Sequence, residues 1–168
     1  MSEIQAILSP TDFSECSQYA FQIARALARD CRARLLVLHV ATPPPFVTYG
    51  ELQKALQRPD GYRGELEFRL RQLYVTDSPA GVEYRVEDGE PAAEILRVAR
   101  ETRCDFIVMG THGRTGLGRL LMGSVAERVV REALCPVMTI KVPLANDRPR
   151  GASIPEQAEE PSRASSPR

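Results

Sequence analysis

The sequence predicts an α/β fold, an open parallel sheet with helices on both faces, and three observations carry that expectation. Short apolar runs alternate with stretches of helical periodicity in the order β-α-β-α-β-α-β-α-β. One of those runs, Leu35-Leu36-Val37-Leu38, is unbroken by polar residues, as suits a strand covered on both faces. Glycines gather between a buried strand and a helix, from Gly110 to Gly123. In such folds, ligands bind beyond the carboxyl ends of the strands, where the winding direction reverses.

Composition sets the outer bounds. A chain of 168 residues, 43% hydrophobic and 26% charged, is the size of one domain with at most an attachment. Lys+Arg and Asp+Glu both total 22, so the chain lacks the electrostatic footprint of a general nucleic-acid or acidic-membrane binder. The start of the chain has no basic segment followed by an apolar one, and no run approaches the roughly 18 apolar residues of a membrane span. Cys16, Cys31, Cys104 and Cys135 lie far apart, without zinc-ligand spacing. The expectation is a cytoplasmic protein whose reduced thiols serve as small buried apolar residues.

Taken in order, Ile4–Leu8 is the first apolar run, closed by the turn-rich Ser9-Pro10-Thr11-Asp12. From Ser14, apolar residues recur at Cys16, Tyr19/Ala20, Ile23/Ala24 and Leu27, a helix ending near Asp30. Arg34–Ala41 is the second strand, stopped by Pro43-Pro44-Pro45. Residues 48–76 suggest two helices or one bent helix, with Arg58-Pro59-Asp60-Gly61 as the interruption. Val82–Val86 alternates like a strand. Gly89-Glu90-Pro91 then opens a helix with proline in its first turn, where the missing N–H costs little. The inner face of that helix is Ile95, Leu96, Val98 and Ala99. Phe106–Met109 is the fourth strand. Ser124-Val-Ala-Glu127 has capping-box spacing and opens a helix along Val125, Val129 and Ala133. Val137–Val142 is the last strand. Beyond it the apolar pattern stops and proline recurs among Ser, Glu and Arg, so residues 1–143 read as the domain and 144–168 as a disordered tail.

The loop from Gly110 to Ser124 carries the strongest chemical signal. Glycines allow a backbone to approach a ligand closely, successive N–H groups can form an anion nest, and a helix N-terminus adds donors and partial positive charge. The alternative is a surface loop whose glycines only make turns. Two nucleotide fingerprints fail here. Arg119-Leu120 stand where a Walker loop needs Lys and Ser/Thr, and Leu121 stands where a dinucleotide motif needs glycine.

Gly110 and Gly113 are separated by two residues, and Gly113 and Gly123-Ser124 by nine. This G-x2-G-x9-G-[S/T] resembles the ATP-binding motif of the universal stress protein family, in its UspA-like, ATP-binding branch. Pro10-Thr11-Asp12-Phe13-Ser14, Leu38-His39-Val40 and Cys135-Pro136-Val137 agree with it in order and place. The resemblance covers about residues 3–142. It implies a Rossmann-like sheet of five strands in the order 3-2-1-4-5, of the adenine nucleotide alpha hydrolase-like kind, and a homodimer paired through the last strand. It also implies that Asp12, in the Pro10-Thr11-Asp12 loop, accepts from the ribose side and that Val40 meets adenine through its backbone. Gly110, Gly113, Gly123 and Ser124 would hold the phosphates, with His112 and Arg114 nearby and Val125 shaping the wall. Mg²⁺ would be held mainly by phosphate oxygens and water.

Residue by residue, simpler roles stand beside these. Asp12 can cap the first helix or stabilise its turn, Thr11 can serve turn hydrogen bonding, and His39 fits a satisfied core histidine. Three functions follow from different classes. One is an ATP-binding regulatory module of the stress response with an unidentified protein partner. The second is a weak ATPase or autophosphorylating enzyme, for which no acid/base pair stands out. The third is a dimeric interaction scaffold that binds no nucleotide.

Overall fold

The computed structural model describes residues 3–42, 61–75, 81–111 and 122–142, the side chains of 61 and 62 excepted. The chain runs β1 (Ala6–Thr11), α1 (Glu15–Cys31), β2 (Arg34–Ala41), α2 (Gly61–Leu73), β3 (Val82–Asp88), α3 (Pro91–Glu101), β4 (Phe106–Gly110), α4 (Ser124–Glu132) and β5 (Val137–Ile140). All strand pairings are parallel, in the order β3-β2-β1-β4-β5. The fold class and strand order are those expected.

Strand alternation divides the core into two layers. Leu8, Leu36, Leu38 and Ile107 pack with Ile95, Leu96 and Val98 of α3 and Ala126 and Val129 of α4. Their neighbours Ile7, Leu35, Val37 and Val108 face the other way, onto Phe21, Ala24 and Ala28 of α1 and Leu66 and Leu70 of α2. The continuous apolar run of β2 therefore has the predicted cause: each face meets a helical layer. Winding reverses between β1 and β4, so the carboxyl ends of these two strands form the crevice of the fold.

Four local expectations need correction. The Ser9-Pro10-Thr11 segment is strand, not turn: β1 pairs with β2 through Thr11↔His39. Its pairing with β4 covers only Ile7↔Phe106 and Leu8↔Ile107, so Pro10 lies beyond the β1–β4 ladder and its missing N–H is tolerated. Of the α1 stripe expected through Cys16, Tyr19/Ala20, Ile23/Ala24 and Leu27, Cys16, Ala20 and Ala24 are buried and Ile23 and Leu27 pack at its margin, while the buried face is extended by Ser17, Phe21 and Ala28, which were not expected. Small residues there let α1 approach the sheet. The last strand stops at Ile140 rather than Val142. In the fourth case, Gly123 is the N-cap of α4 and Ser124 its first helical residue, so the Ser124–Glu127 capping box does not form.

Within 48–76 one helix, α2, is observed; Gly61, expected as part of the Arg58–Gly61 interruption, is its first residue, and residues 58–60 lie outside the described residues, as do the tail at 144–168 and most of the glycine-rich loop. No helix among the described residues is long and apolar enough to cross a membrane.

The two lateral edges of the sheet differ. At β3, Glu87 meets Arg85 at 2.5 Å, Arg97 at 3.1 Å and Arg63 at 3.7 Å, while Arg85 also reaches Glu101 at 3.0 Å. Burial opposes ionisation of Glu87, but these arginines outweigh it and hold the carboxyl below its ordinary range. At β5 the sequence is Val-Met-Thr-Ile, without charge and half-buried.

Candidate functional site

A cavity of about 320 Å³ opens at the crevice between the ends of β1 and β4. Its apolar wall comes from Leu38 and Val40 of β2, Ile95 of α3 and Met109 of β4. Its polar rim comes from Thr11, Asp12, Ser17 and Thr111, and Gly123–Ala126 bring in the start of α4. Pairing of β2 with β1 ends at His39, so Val40 is the first β2 residue with no β1 residue opposite.

The β1–α1 turn is fixed by its own side chains. Asp12 Oδ1 accepts from the Ser14 N–H at 3.1 Å and the Ser14 hydroxyl at 2.6 Å, and Ser14 Oγ accepts from the Ser17 N–H at 3.2 Å as the N-cap of α1. The turn role weighed for Asp12 is thus real, and it leaves the residue on the cavity rim. Thr11 does more than the turn bonding expected of it. Its hydroxyl accepts from the Phe13 N–H at 3.0 Å and bonds the hydroxyls of Ser17 and Tyr74 at 3.0 and 2.5 Å. Tyr74 is fully buried at the end of α2, and burial pushes its phenol up despite hydrogen bonds from Thr11 and Ser17 that act the other way. It therefore stays protonated and ties α2 to the cavity floor.

His39 is buried, as expected of a core histidine, with Nδ1 2.8 Å from the Thr11 carbonyl. A carbonyl only accepts, so Nδ1 carries the proton. Phe13, at φ 65°, has its ring 4.4 Å from the His39 ring, centroid to centroid and tilted by 43°, and the Arg69 guanidinium sits 4.4 Å from the Phe13 ring centroid. These ring and cation–π contacts brace the left-handed backbone at Phe13.

Gly110 has a packing reason to be glycine. A Cβ there would sit 2.9 Å from Cys16 Sγ and 3.1 Å from the Cys16 carbonyl carbon, so α1 crosses the end of β4 only because the side chain is absent. Thr111, 2% exposed, donates its N–H to the Ile140 carbonyl at 2.9 Å and accepts from the Gly123 N–H through its own carbonyl at 2.7 Å. That pair of bonds anchors the start of α4 to the ends of β4 and β5. Gly123 has extended backbone angles, φ −71° and ψ 153°, and no side chain caps the helix. The first N–H groups of α4 have no acceptor within the helix, and its positive dipole end borders the cavity.

Residues 3–141 match the family model described as the universal stress protein family. The chain belongs to the universal stress protein family. A universal stress protein of Methanocaldococcus jannaschii is 37% identical over 144 residues, covering 82% of each chain. The solved universal stress protein UspA of Lactobacillus plantarum superposes with a TM-score of 0.70 at 26% identity, over 83% of this chain and 99% of that one. Two more distant universal stress protein structures share the fold. One, in complex with cAMP, has a TM-score of 0.59 at 23% identity over 82% of this chain and 97% of that one. The other, from Arabidopsis thaliana with AMP bound, has a TM-score of 0.52 at 21% identity over 88% of this chain and 97% of that one.

Among the expected site residues of this family member, Pro10, Thr11, Asp12, Val40, Gly110, Gly123, Ser124 and Val125 come together around one cavity. His112, Gly113 and Arg114 lie outside the described residues. Ser17, Pro91, Ile95 and Thr111 also line it and were not anticipated. Ile95 was legible only as core, and Thr111 only as the residue after a glycine.

Proposed function

We propose that this universal stress protein binds ATP in the crevice cavity and acts as a nucleotide-dependent regulatory module. The observation that carries the reading is the uncapped start of α4, Gly123 to Ala126, facing a cavity with an apolar wall on one side and Asp12 on the other. Adenine would lie against Val40 and Ile95, the ribose hydroxyls would donate to Asp12, and phosphates would meet the N–H groups at Gly123 and Ser124 with His112, Gly113 and Arg114 alongside. Two family members with adenine nucleotides bound support the ligand class.

The residues fit Mg²⁺ only as a passenger of the phosphates. Asp12 is the one carboxylate among the described lining residues, and Ser14 already engages its Oδ1. Phosphate oxygens and water would therefore supply most of the coordination. The uncharged β5 edge supports a homodimer paired through that strand. Nucleotide occupancy would bias which partner the dimer engages, to the extent that ATP binds one conformation more tightly.

The deciding experiment is calorimetric titration of nucleotide-stripped protein with ATP and Mg²⁺, with the Gly113→Val variant in parallel. Saturable binding in the parent, lost in the variant, is expected because a branched side chain blocks close backbone approach. Absence of binding in the parent, checked by equilibrium dialysis, would leave the chain as an interaction scaffold.

A further inference from the structure

At the opposite end of the sheet from the nucleotide cavity, two cysteines from separate loops meet. Cys104 follows α3 and precedes β4, and Cys135 lies between α4 and β5. Their sulfurs are 3.7 Å apart, van der Waals contact between two free thiols. A disulfide needs the sulfurs at about 2.0 Å, an approach within reach of side-chain rotation when both residues sit outside helix and strand. Cys104 is buried while Cys135 is partly exposed, and both line a groove with Arg100, Arg103 and Leu134, the last 86% exposed. The pair thus has one sulfur open to a small solute and one shielded behind it.

We infer that Cys104 and Cys135 form a reversible intramolecular disulfide when the protein meets a peroxide. The Cys135 thiolate attacks one peroxide oxygen, the O–O bond breaks, and Cys135 becomes a sulfenic acid as the other oxygen leaves as water after protonation. Cys104 then attacks the Cys135 sulfur. The S–S bond forms, the S–O bond breaks, and the departing hydroxide leaves as water with the Cys104 proton. Two thiols are oxidised and one peroxide is reduced to two waters. Burial, followed by the neighbouring Cys135, pushes the Cys104 thiol up to about 12. Cys104 therefore suits the second, resolving role, and the exposed sulfur the first. The bond would close a loop that contains β4, the glycine-rich segment and all of α4, while neither cysteine lines the crevice cavity.

Hydrogen peroxide treatment of the full chain, followed by unfolding, alkylation and peptide mapping under non-reducing conditions, tests this. The expected result is loss of two of the four alkylatable thiols, a mass lower by two hydrogens, and a Cys104–Cys135 linked peptide that dithiothreitol separates. In Cys104→Ser, Cys135 should instead be trapped by dimedone as the sulfenic acid. In Cys135→Ser, Cys104 should remain alkylatable. Four intact thiols in the parent, a link involving Cys16 or Cys31, a link between two chains, or overoxidation of Cys135 beside an alkylatable Cys104 would each overturn the assignment. Nucleotide titration is not a readout here, so this result stands apart from the ATP-binding reading.

Discussion

The N-termini of α3 and α4 both border the cavity, yet the chain finishes one and leaves the other open. At α3, Glu90 accepts from the Ala92 and Ala93 N–H groups at 3.1 and 2.8 Å, and Arg128 of α4 braces it at 2.6 Å. Proline occupies the first turn, removing one further donor. At α4 the cap is Gly123, which brings no side chain, and the donors of the first turn face the cavity. The α3 end is satisfied by the protein and serves stability. The α4 end is held in place from behind, through Thr111, and its first turn lines the cavity where the proposed phosphates would lie.

Giving α4 a carboxylate cap should break the contrast most strongly. Gly123 has a backbone conformation open to any residue, so Gly123→Asp should fold and change apo stability by only a few tenths of a kcal/mol. Its charge would oppose phosphate, and near a protein surface such repulsion is about 3 kcal/mol, an affinity loss of roughly 100-fold. Calorimetry of Gly123→Asp beside Gly123→Ser separates charge from cap filling. Equal affinity in parent and Asp variant would show that no anion meets this helix end.

The converse change is smaller. Glu90→Ala removes both cap bonds of α3 and should lower unfolding free energy by about 1 kcal/mol, with nucleotide affinity within twofold of the parent. Urea denaturation and calorimetry on the same preparation measure both.

Acid sharpens the same point. The N–H of Ala93 first, then that of Ala92 and the Arg128 charge, hold the Glu90 carboxyl below its ordinary range. A depressed carboxyl contributes stability that is present above its unfolded pKa and lost as pH falls through its folded one. The stability gap between the parent and Glu90→Gln should therefore narrow as pH falls below the ordinary glutamate range. A gap constant with pH would deny that ionised Glu90 is the cap.

Smallest of all should be Arg128→Ala. Its pairs with Glu90 and Glu132 are surface contacts, worth about 0.5 kcal/mol at most and weakened further by salt.

The α3 end was readable in the sequence because Gly89-Glu90-Pro91 encodes its cap locally. The α4 end was misread for the complementary reason. Ser124-x-x-Glu127 satisfies the capping-box spacing, but the pattern cannot tell an N-cap from a first helical residue, and Gly123 takes the N-cap place. Pro10 was misread as a turn because proline argues against a central strand, unless pairing on one side has already ended. Leu35–Leu38 and Phe106–Met109 were legible as strands from continuous apolar runs, since burial on both faces favours an apolar side chain at every position. The cavity was only half legible. The Gly110 and Gly123 positions announced it, whereas Pro91, Ile95 and Thr111 join it through topology, from elements whose local pattern speaks only of packing. Gly110 shows a further limit: close approach was expected toward a ligand, and the close approach observed is to α1.

The unequal edges of the sheet bear on how large an assembly this chain can make. Along β3, Arg85, Glu87 and their partners place charge where another strand would have to dock, while β5 offers Val-Met-Thr-Ile. A unit adhesive on both flanks propagates, and its natural product is a fibre. If the proposed β5 pairing forms, a unit adhesive on that one flank is a chain terminator: a single pairing consumes the adhesive end, and growth stops at two.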